Sequence, residues 1–218
     1  MKKIILALVL LCVIFPLAFS SVSLGVRANG GLNLGTKEAT DSGDIPDKKV
    51  LPGFGAGLYA RWDLPIVPFL GIQSGLDFYS GNGIKYAEED AGESYSLTYS
   101  YNTLDIPVLV TFRLPLGLVK TTLFAGPNFS FPVGKVKGSA TGAGAKVEGD
   151  AFEFDSIMVF GMQAGIDTSL GLGPLDLVLG LRYINDFANT RIKYSDSVSE
   201  DFLTRRNLIL SLGVEFGF

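Results

Sequence analysis

The residues best suited to chemistry in this 218-residue chain are carboxylates and arginines, because the sequence contains no histidine and a single cysteine, Cys12. Histidine exchanges protons near neutral pH, and it is the most frequent general base in enzymes. Cys12 lies inside a long apolar stretch near the amino terminus. We therefore expect no enzymatic activity that depends on a histidine or on a cysteine thiolate.

The remaining charged candidates share one property, which is that they alternate with apolar residues along the chain. Carboxylates could act as acids or bases, but an unpaired buried charge costs several kcal/mol, and much of that cost is recovered when a carboxylate meets an arginine. We therefore predict a structural network of charge pairs, with no catalytic, cofactor or metal site. The predicted network consists of Arg27, Arg61, Asp77, Asp105, Arg113, Asp155, Asp167, Asp176, Arg182 and Glu215.

These charges belong to stretches in which apolar and polar positions alternate with a period of two, the pattern of a β-strand with two different faces. Eight such stretches follow one another between residue 21 and the last residue, Phe218. Apolar side chains are even-numbered in six of them and odd-numbered in two. The pattern predicts a fourth strand near 96–114, a fifth near 121–133 and a sixth that begins near Phe154.

The connections between the predicted strands fall into two groups. Three are tight turns rich in proline and glycine, from Leu64 to Pro68, from Pro115 to Lys120 and from Gly171 to Pro174. Four are long, at about 36–50, 82–95, 134–150 and 185–203. Antiparallel strands with all long connections at one end predict an all-β fold, a single eight-stranded antiparallel transmembrane β-barrel with up-and-down topology.

The arginines indicate which face of the barrel meets lipid. An arginine that faces hydrocarbon costs roughly 2–4 kcal/mol at the bilayer midplane, and four of them would remove most of a typical folding free energy of about 5–15 kcal/mol. We therefore expect the charged face to line the lumen and the apolar face to contact lipid. A soluble lipocalin-like carrier, with an apolar interior, is the structural alternative.

The first 20 residues have the pattern of a secretory signal peptide. Lys2 and Lys3 precede an apolar run from Ile4 to Phe19, and the small residues around Ser20 suit a cleavage site. We predict cleavage after Ser20, so that residues 21–218 form the outer-membrane β-barrel domain. The mature chain would then have no thiol.

The charge balance excludes one class of partner. Without Lys2 and Lys3 the chain has 16 basic residues against 22 acidic ones, a net formal charge of −6. Nucleic acid binding requires clustered basic residues, so no nucleic acid partner is expected. An acidic cluster at Glu88, Glu89, Asp90 and Glu93 has the oxygen ligands that calcium prefers, but such clusters are more commonly just solvated.

Three segments carry a resemblance to a known family. They are Leu104-Asp105-Ile106-Pro107-Val108-Leu109-Val110, Leu123-Phe124-Ala125-Gly126-Pro127 and the closing Leu212-Gly213-Val214-Glu215-Phe216-Gly217-Phe218. The mature chain resembles the PorT-like outer-membrane β-barrel family and, more broadly, barrels of the OmpA and OmpX type. The resemblance implies that Leu212, Phe216 and Phe218 form the signal for the barrel-assembly machinery, and it supplies no catalytic residues.

The sequence thus predicts an outer-membrane protein with a structural or interaction role. Its expected partners are outer-membrane lipids, the barrel-assembly machinery and, through long surface loops available for binding, an extracellular ligand. A narrow channel, or an accessory factor of a secretion or envelope process, is an alternative function. A histidine-free envelope enzyme is a further one.

Overall fold

The computed structural model describes residues 21–34, 48–65, 67, 69–90, 93–142, 145–195 and 198–218. The predicted signal peptide lies outside these ranges. No helix within them is long and apolar enough to cross a membrane. The described chain forms the strands β1 (Ser21–Asn33), β2 (Lys48–Lys49), β3 (Leu51–Asp63), β4 (Leu70–Asp90), β5 (Glu93–Leu116), β6 (Val119–Gly142), β7 (Ala145–Phe154), β8 (Val159–Gly171), β9 (Leu175–Asp186), β10 (Thr190–Ser195), β11 (Val198–Leu203) and β12 (Arg206–Gly217).

Eight of these strands form a closed antiparallel barrel, as predicted. Around the barrel the order is β1, β3, β4, β5, β6, β8, β9 and β12, and each strand pairs with the next barrel strand along the chain. The first and last strands close the cylinder, with partners from Ser23 and Gly217 to Asn33 and Asn207. Closure leaves no strand edge within the membrane-spanning part, where an unpaired backbone group would be costly.

The register of the strands fixes the tilt of the barrel. A row of directly paired residues that starts at Val22 passes through Trp62, Ile72, Val110, Ala125, Ala164, Tyr183 and Leu208 and returns to β1 at Leu32. One circuit therefore shifts the register by ten residues, from 22 to 32. With eight strands this stagger requires tilted strands, and the typical tilt is about 35–45°.

Side chains on the two faces of the barrel differ as the sequence pattern predicts. Leu58, Leu179 and Leu212 point outward and are exposed, whereas Arg27 and Asp77 point inward and are buried. A lipocalin-like carrier has the opposite arrangement, and this structure excludes it. The outer surface is apolar over the height of the barrel, so water is a poor solvent for it and hydrocarbon a good one.

Several strands continue beyond the barrel at the end opposite the short turns. β4 and β5 extend to Asp90 and Glu93, β6 pairs with β7, and β10 pairs with β11. The prediction of long loops at 82–95, 134–150 and 185–203 is therefore wrong for most of these residues, while 36–50 lies largely outside the described residues. Glycine and serine are frequent in the extension and weaken the alternation there, but the paired hairpins still satisfy their backbone groups.

A small hydrophobic core holds this extension together above the barrel mouth. Its buried members come from five strands and are Ile84, Tyr101, Val136, Ile192 and Leu203. Tyr86, Tyr99, Phe152 and Phe154 pack against them. Phe154 thus belongs to β7 and to this core, and the prediction that it begins the sixth barrel strand is wrong.

Candidate functional site

The middle of the lumen contains two arginine–carboxylate pairs. Arg27 contacts Asp77 through two nitrogens, and its Nε lies 2.8 Å from Oδ1. Arg182 donates to both carboxylate oxygens of Asp167, at 2.8 and 2.7 Å. Each guanidinium also lies over an aromatic ring, since Arg27 is 4.9 Å from the ring centre of Tyr59 and Arg182 is 4.6 Å from that of Phe124.

A second cluster occupies the lumen near the short turns. Glu215 accepts hydrogen bonds from Arg61 and from the Tyr59 hydroxyl, the latter at 3.1 Å. Arg113 forms an ion pair with Asp63 at 3.1 Å. These charges come from β3, β5 and β12, so the cluster connects strands on different sides of the lumen.

The mouth at this end has one further ion pair, between Lys120 and Asp176, with Nζ 2.7 Å from Oδ2. It links β6 to β9. Lys120 is partly exposed, so this pair is in a more solvated setting than those above it.

A third cluster lies at the opposite end of the lumen, below the hydrophobic core of the extension. Arg205 is fully buried and bridges two carboxylates. Its Nη1 is 2.9 Å from Oδ2 of Asp105, and its Nε is 3.1 Å from Oδ2 of Asp186. It also donates to the hydroxyls of Thr103 and Ser130. One arginine therefore connects four side chains of the barrel wall.

The structure places every residue of the predicted network inside the barrel except Asp155. The predicted sixth strand included Asp155, but β8 begins only at Val159, and Asp155 lies in the connection after β7. Its side chain is 28% exposed and lies 3.7 Å from Arg191 and 4.0 Å from Lys193. The assignment of Asp155 to the lumen is therefore wrong.

Four charged residues of the lumen were not predicted from the sequence. Asp63, Lys120 and Asp186 continue the inward parity of β3, β6 and β9 by one or two positions. Arg205 continues the inward parity of β12, two residues before Asn207. Extending the alternation beyond the outermost apolar residue, forward for Asp63 and Asp186 and backward for Lys120 and Arg205, would have found all four.

Leu212 and Phe216 point outward on β12, and Phe218 follows directly after this strand and is also exposed. Phe218 is 78% exposed, while its backbone is fixed by two hydrogen bonds with Val22. The Phe218 amide donates to the Val22 carbonyl at 2.8 Å, and the Val22 amide donates back at 3.4 Å. The last residue thus helps to close the barrel through its backbone and offers its ring to the surroundings.

The extension has two chemically different faces. On the face that carries the small core, the far end is uncovered, since Leu97 is 39% and Val147 is 70% exposed. On the opposite face, charged residues pair with one another, such as Lys135 with Glu153 at 3.2 Å. There the pKa of the Glu148 carboxyl lies below its usual value because Lys146 hydrogen-bonds to it and adds a positive charge nearby.

No metal centre is indicated in the described ranges, because they contain no group of three or more side chains of the types that ligate metals. The acidic cluster at Glu88, Glu89, Asp90 and Glu93 falls on side chains outside the described set. Each luminal carboxylate described above forms an ion pair or a hydrogen bond with an arginine or lysine side chain. These ion pairs therefore connect strands across the lumen and stabilise the barrel wall.

No protein-family model matches the sequence, and the search of curated proteins finds no match. Among solved structures, the outer membrane protein OprG from Pseudomonas aeruginosa is 7% identical, with a TM-score of 0.52 over 92% of this chain and 97% of that one. A major outer membrane protein from Thermus thermophilus is 16% identical, with a TM-score of 0.52 over 90% of this chain and 99% of that one. Neisserial surface protein A is 14% identical, with a TM-score of 0.49 over 91% of this chain and 97% of that one.

The first two similarities and the closed, outwardly apolar barrel define the class of the fold. It is the fold of small outer-membrane β-barrels, with eight strands in the barrel itself. At these low identities the similarity concerns the fold alone.

Proposed function

We propose that this chain is an outer-membrane β-barrel that does not conduct solutes and that acts through the extension on the cell surface. The location is supported by the apolar outer surface and by the fold shared with OprG and the Thermus thermophilus protein, which are outer membrane proteins. The even number of strands puts both termini on the side of the short turns, and short turns are periplasmic in bacterial outer-membrane barrels, so this end would lie in the periplasm and the extension outside the cell.

The closed lumen is supported by the packing of its interior. Besides the three charge clusters, Gln73, Leu109 and Gln163 point inward and are fully buried. Eight strands enclose an interior just wide enough for side chains to fill it. Above the barrel, the hydrophobic core that includes Tyr101 and Ile192 covers the mouth.

Planar-bilayer recording tests this part of the proposal, because a narrow channel is the alternative. The purified protein should give no steady single-channel steps at any salt concentration. A variant that exchanges Arg205 and Asp105 for alanine is the positive comparison, since it removes the cluster directly below the core. Steady steps from the unmodified protein would favour the channel instead.

The interaction role rests on the uncovered end of the apolar face of the extension. The β10–β11 hairpin covers the lower part of this face with Ile192 and Leu203, whereas Leu97 and Val147 remain exposed. Exposed apolar patches on soluble surfaces mark interaction sites. We take the ligand to be a protein with an apolar surface, because Leu97 and Val147 are exposed and the described side chains of this face form no charge pairs.

Attachment of cells to immobilised serum proteins tests the interaction role. Cells that display the unmodified protein should attach, and the double substitution Leu97→Ser and Val147→Ser should abolish most of the attachment. The matched control is Thr98→Ala with Glu148→Gln, which changes the adjacent positions on the opposite face. Equal attachment of all three would show that the apolar face is not the binding surface.

The same proposal includes the cellular process, recognition by the assembly machinery and the lack of enzymatic activity. The three segments that resemble the PorT-like family support a role as an accessory factor of a secretion or envelope process, as an alternative to adhesion. The outward position of Phe216 and Phe218 is suited to recognition by the barrel-assembly machinery. The lack of histidine and the pairing of the luminal carboxylates favour a protein without enzymatic activity.

A further inference from the structure

The three short turns of the barrel share an unusual composition. Turns that face water commonly contain Asn, Asp or Ser, which stabilise the turn through their own side chains. Here none of the turn residues has a charged side chain or any side-chain hydrogen-bonding group. The turns are Leu64-Pro65-Ile66-Val67-Pro68-Phe69, Leu116-Gly117-Leu118 and Leu172-Gly173-Pro174.

Two of the turns form one continuous apolar surface. Leu116, Leu118 and Leu172 are 66%, 78% and 60% exposed. The two turns touch each other, because the amide of Gly171 donates to the carbonyl of Leu118 at 3.1 Å. Gly117 and Gly173 adopt positive φ angles of 73° and 82°, so glycine is the residue that lets each chain reverse tightly.

The third turn contributes an aromatic ring to the same end of the barrel. Phe69 is exposed and packs edge-on against Phe112, with ring centres 5.3 Å apart. We use the name turn patch for Phe69, Leu116, Leu118 and Leu172. The nearest charges at this end, on Asp63 and Lys120, are paired at the mouth of the lumen.

The height of the turn patch follows from the strand geometry. On β5 the outward apolar residues run from Leu104 to Leu114, ten residues apart. In strands tilted by about 45° this distance corresponds to roughly 24 Å of height, close to the apolar band of about 25 Å in such barrels. Leu116 lies two residues further, about 5 Å beyond the band.

A bilayer continues beyond its hydrocarbon in an interfacial layer of roughly 5–7 Å on each side. The tip of the turn patch therefore reaches into that layer and stops short of bulk water. The patch is also continuous with the lipid-facing surface through Leu114 and Leu170, which are outward and exposed.

We propose that the periplasmic turns are inserted into the interfacial layer of the inner leaflet, so that phospholipid covers the turn patch. This inference rests on the proposed outer-membrane location. A periplasmic protein is the competing occupant, but specific protein interfaces have a polar rim around their apolar centre. The three turns themselves lack polar side chains, and the charges that border them, such as Lys120 and Asp176, are paired with each other at the mouth of the lumen.

Tryptophan fluorescence tests the inference, with the purified protein inserted into phospholipid vesicles that contain no other protein. Trp62 is the only tryptophan, so Trp62→Phe provides a background for Leu118→Trp and, separately, Leu172→Trp. Both should show blue-shifted emission, quenching by lipids brominated near the glycerol, and protection from acrylamide. Val147→Trp in the same background is the aqueous control, and acrylamide should quench it strongly.

Acrylamide quenching of the turn tryptophans tests the position of the turns, and quenching of Trp62 by brominated lipid tests the membrane location. If acrylamide quenches both turn tryptophans as strongly as it quenches Val147→Trp, the turns lie in water and the patch is free for a periplasmic protein. That result would overturn the inference and leave the membrane location intact. If the native Trp62 is not quenched by brominated lipid, the location itself fails, and the inference fails with it.

Discussion

Arg205 links two carboxylates at the extended end of the barrel. It is fully buried between Asp105 and Asp186, which it alone neutralises among the described contacts. Replacing it with methionine should lower the free energy of unfolding by about 3–5 kcal/mol, because two carboxylates then stay buried without a partner. Urea unfolding of the protein in lipid vesicles measures this change.

The neighbouring arginine provides the control for that substitution. Arg206 is exposed on the outer surface, so Arg206→Met should change the unfolding free energy by no more than about 0.5 kcal/mol. Adding Asp105→Asn and Asp186→Asn to Arg205→Met should restore part of the loss, since the buried charges disappear together. An Arg205→Met protein as stable as Arg206→Met would contradict the assigned role.

Inward-facing glycines leave space for the luminal charge pairs. A Cβ on Gly57 would overlap the carboxylate of Asp77, whereas a Cβ on the outward Gly30 would meet no atom within 4 Å. Gly57→Ala should therefore displace Asp77 from Arg27 and lower the unfolding free energy by about 1–3 kcal/mol. Gly30→Ala should be nearly neutral, and equal effects in urea unfolding would be inconsistent with this view.

At the scale of the element, sequence alternation predicted the barrel strands well and their ends poorly. Within the membrane the difference in solvent on the two faces forces strict alternation, so Leu208 to Phe216 could be assigned to one face from the sequence alone. Beyond the membrane both faces of a hairpin can be polar, and the alternation fades although the backbone remains paired. That is why β7 and the upper half of β6 were expected to be loop.

Luminal residues could be predicted where outward apolar residues flank them on both sides. Arg182 and Asp167 lie between outward apolar neighbours, which makes their inward direction clear. Arg205 lies between the β10–β11 hairpin and β12, and the alternation of apolar residues in β12 begins only at Leu208. From the sequence, Arg205 therefore resembled a loop residue. The partner of each charge could not be predicted, because pairing across the lumen depends on the register of strands that are distant in sequence.

The last strand leads to a prediction that separates assembly from stability. The Phe218 ring is mostly exposed, while its backbone bonds to Val22 do not involve the side chain. Phe218→Ala should therefore slow the appearance of the folded protein in the outer membrane of living cells, measured by pulse-chase with heat-modifiable gel migration. In vesicles, urea unfolding of the purified variant should change by less than about 1 kcal/mol. Normal assembly kinetics would argue against a recognition role for this ring.

At the scale of the whole molecule, the fold divides the surface into three zones. An apolar band surrounds the barrel, a polar and partly apolar extension lies at one end, and apolar turns lie at the other. The luminal ion pairs lie inside the barrel, where they brace the wall and are shielded from lipid. Among the described residues the extension projects from the barrel, whereas the opposite end hardly does, so the proposed binding away from the membrane would use the extension.

This division predicts the orientation of the protein in the cell envelope. Cys12 is the only cysteine, so Val147→Cys and Leu172→Cys can each carry a single thiol in a Cys12→Ser background. A membrane-impermeant maleimide added to intact cells should label Val147→Cys, since the extension and the short turns lie at opposite ends of the barrel and the short turns of such barrels face the periplasm. It should leave Leu172→Cys unlabelled until detergent and denaturant expose it. Labelling of Leu172→Cys on intact cells would mean that the barrel is inserted the other way round or does not span the membrane.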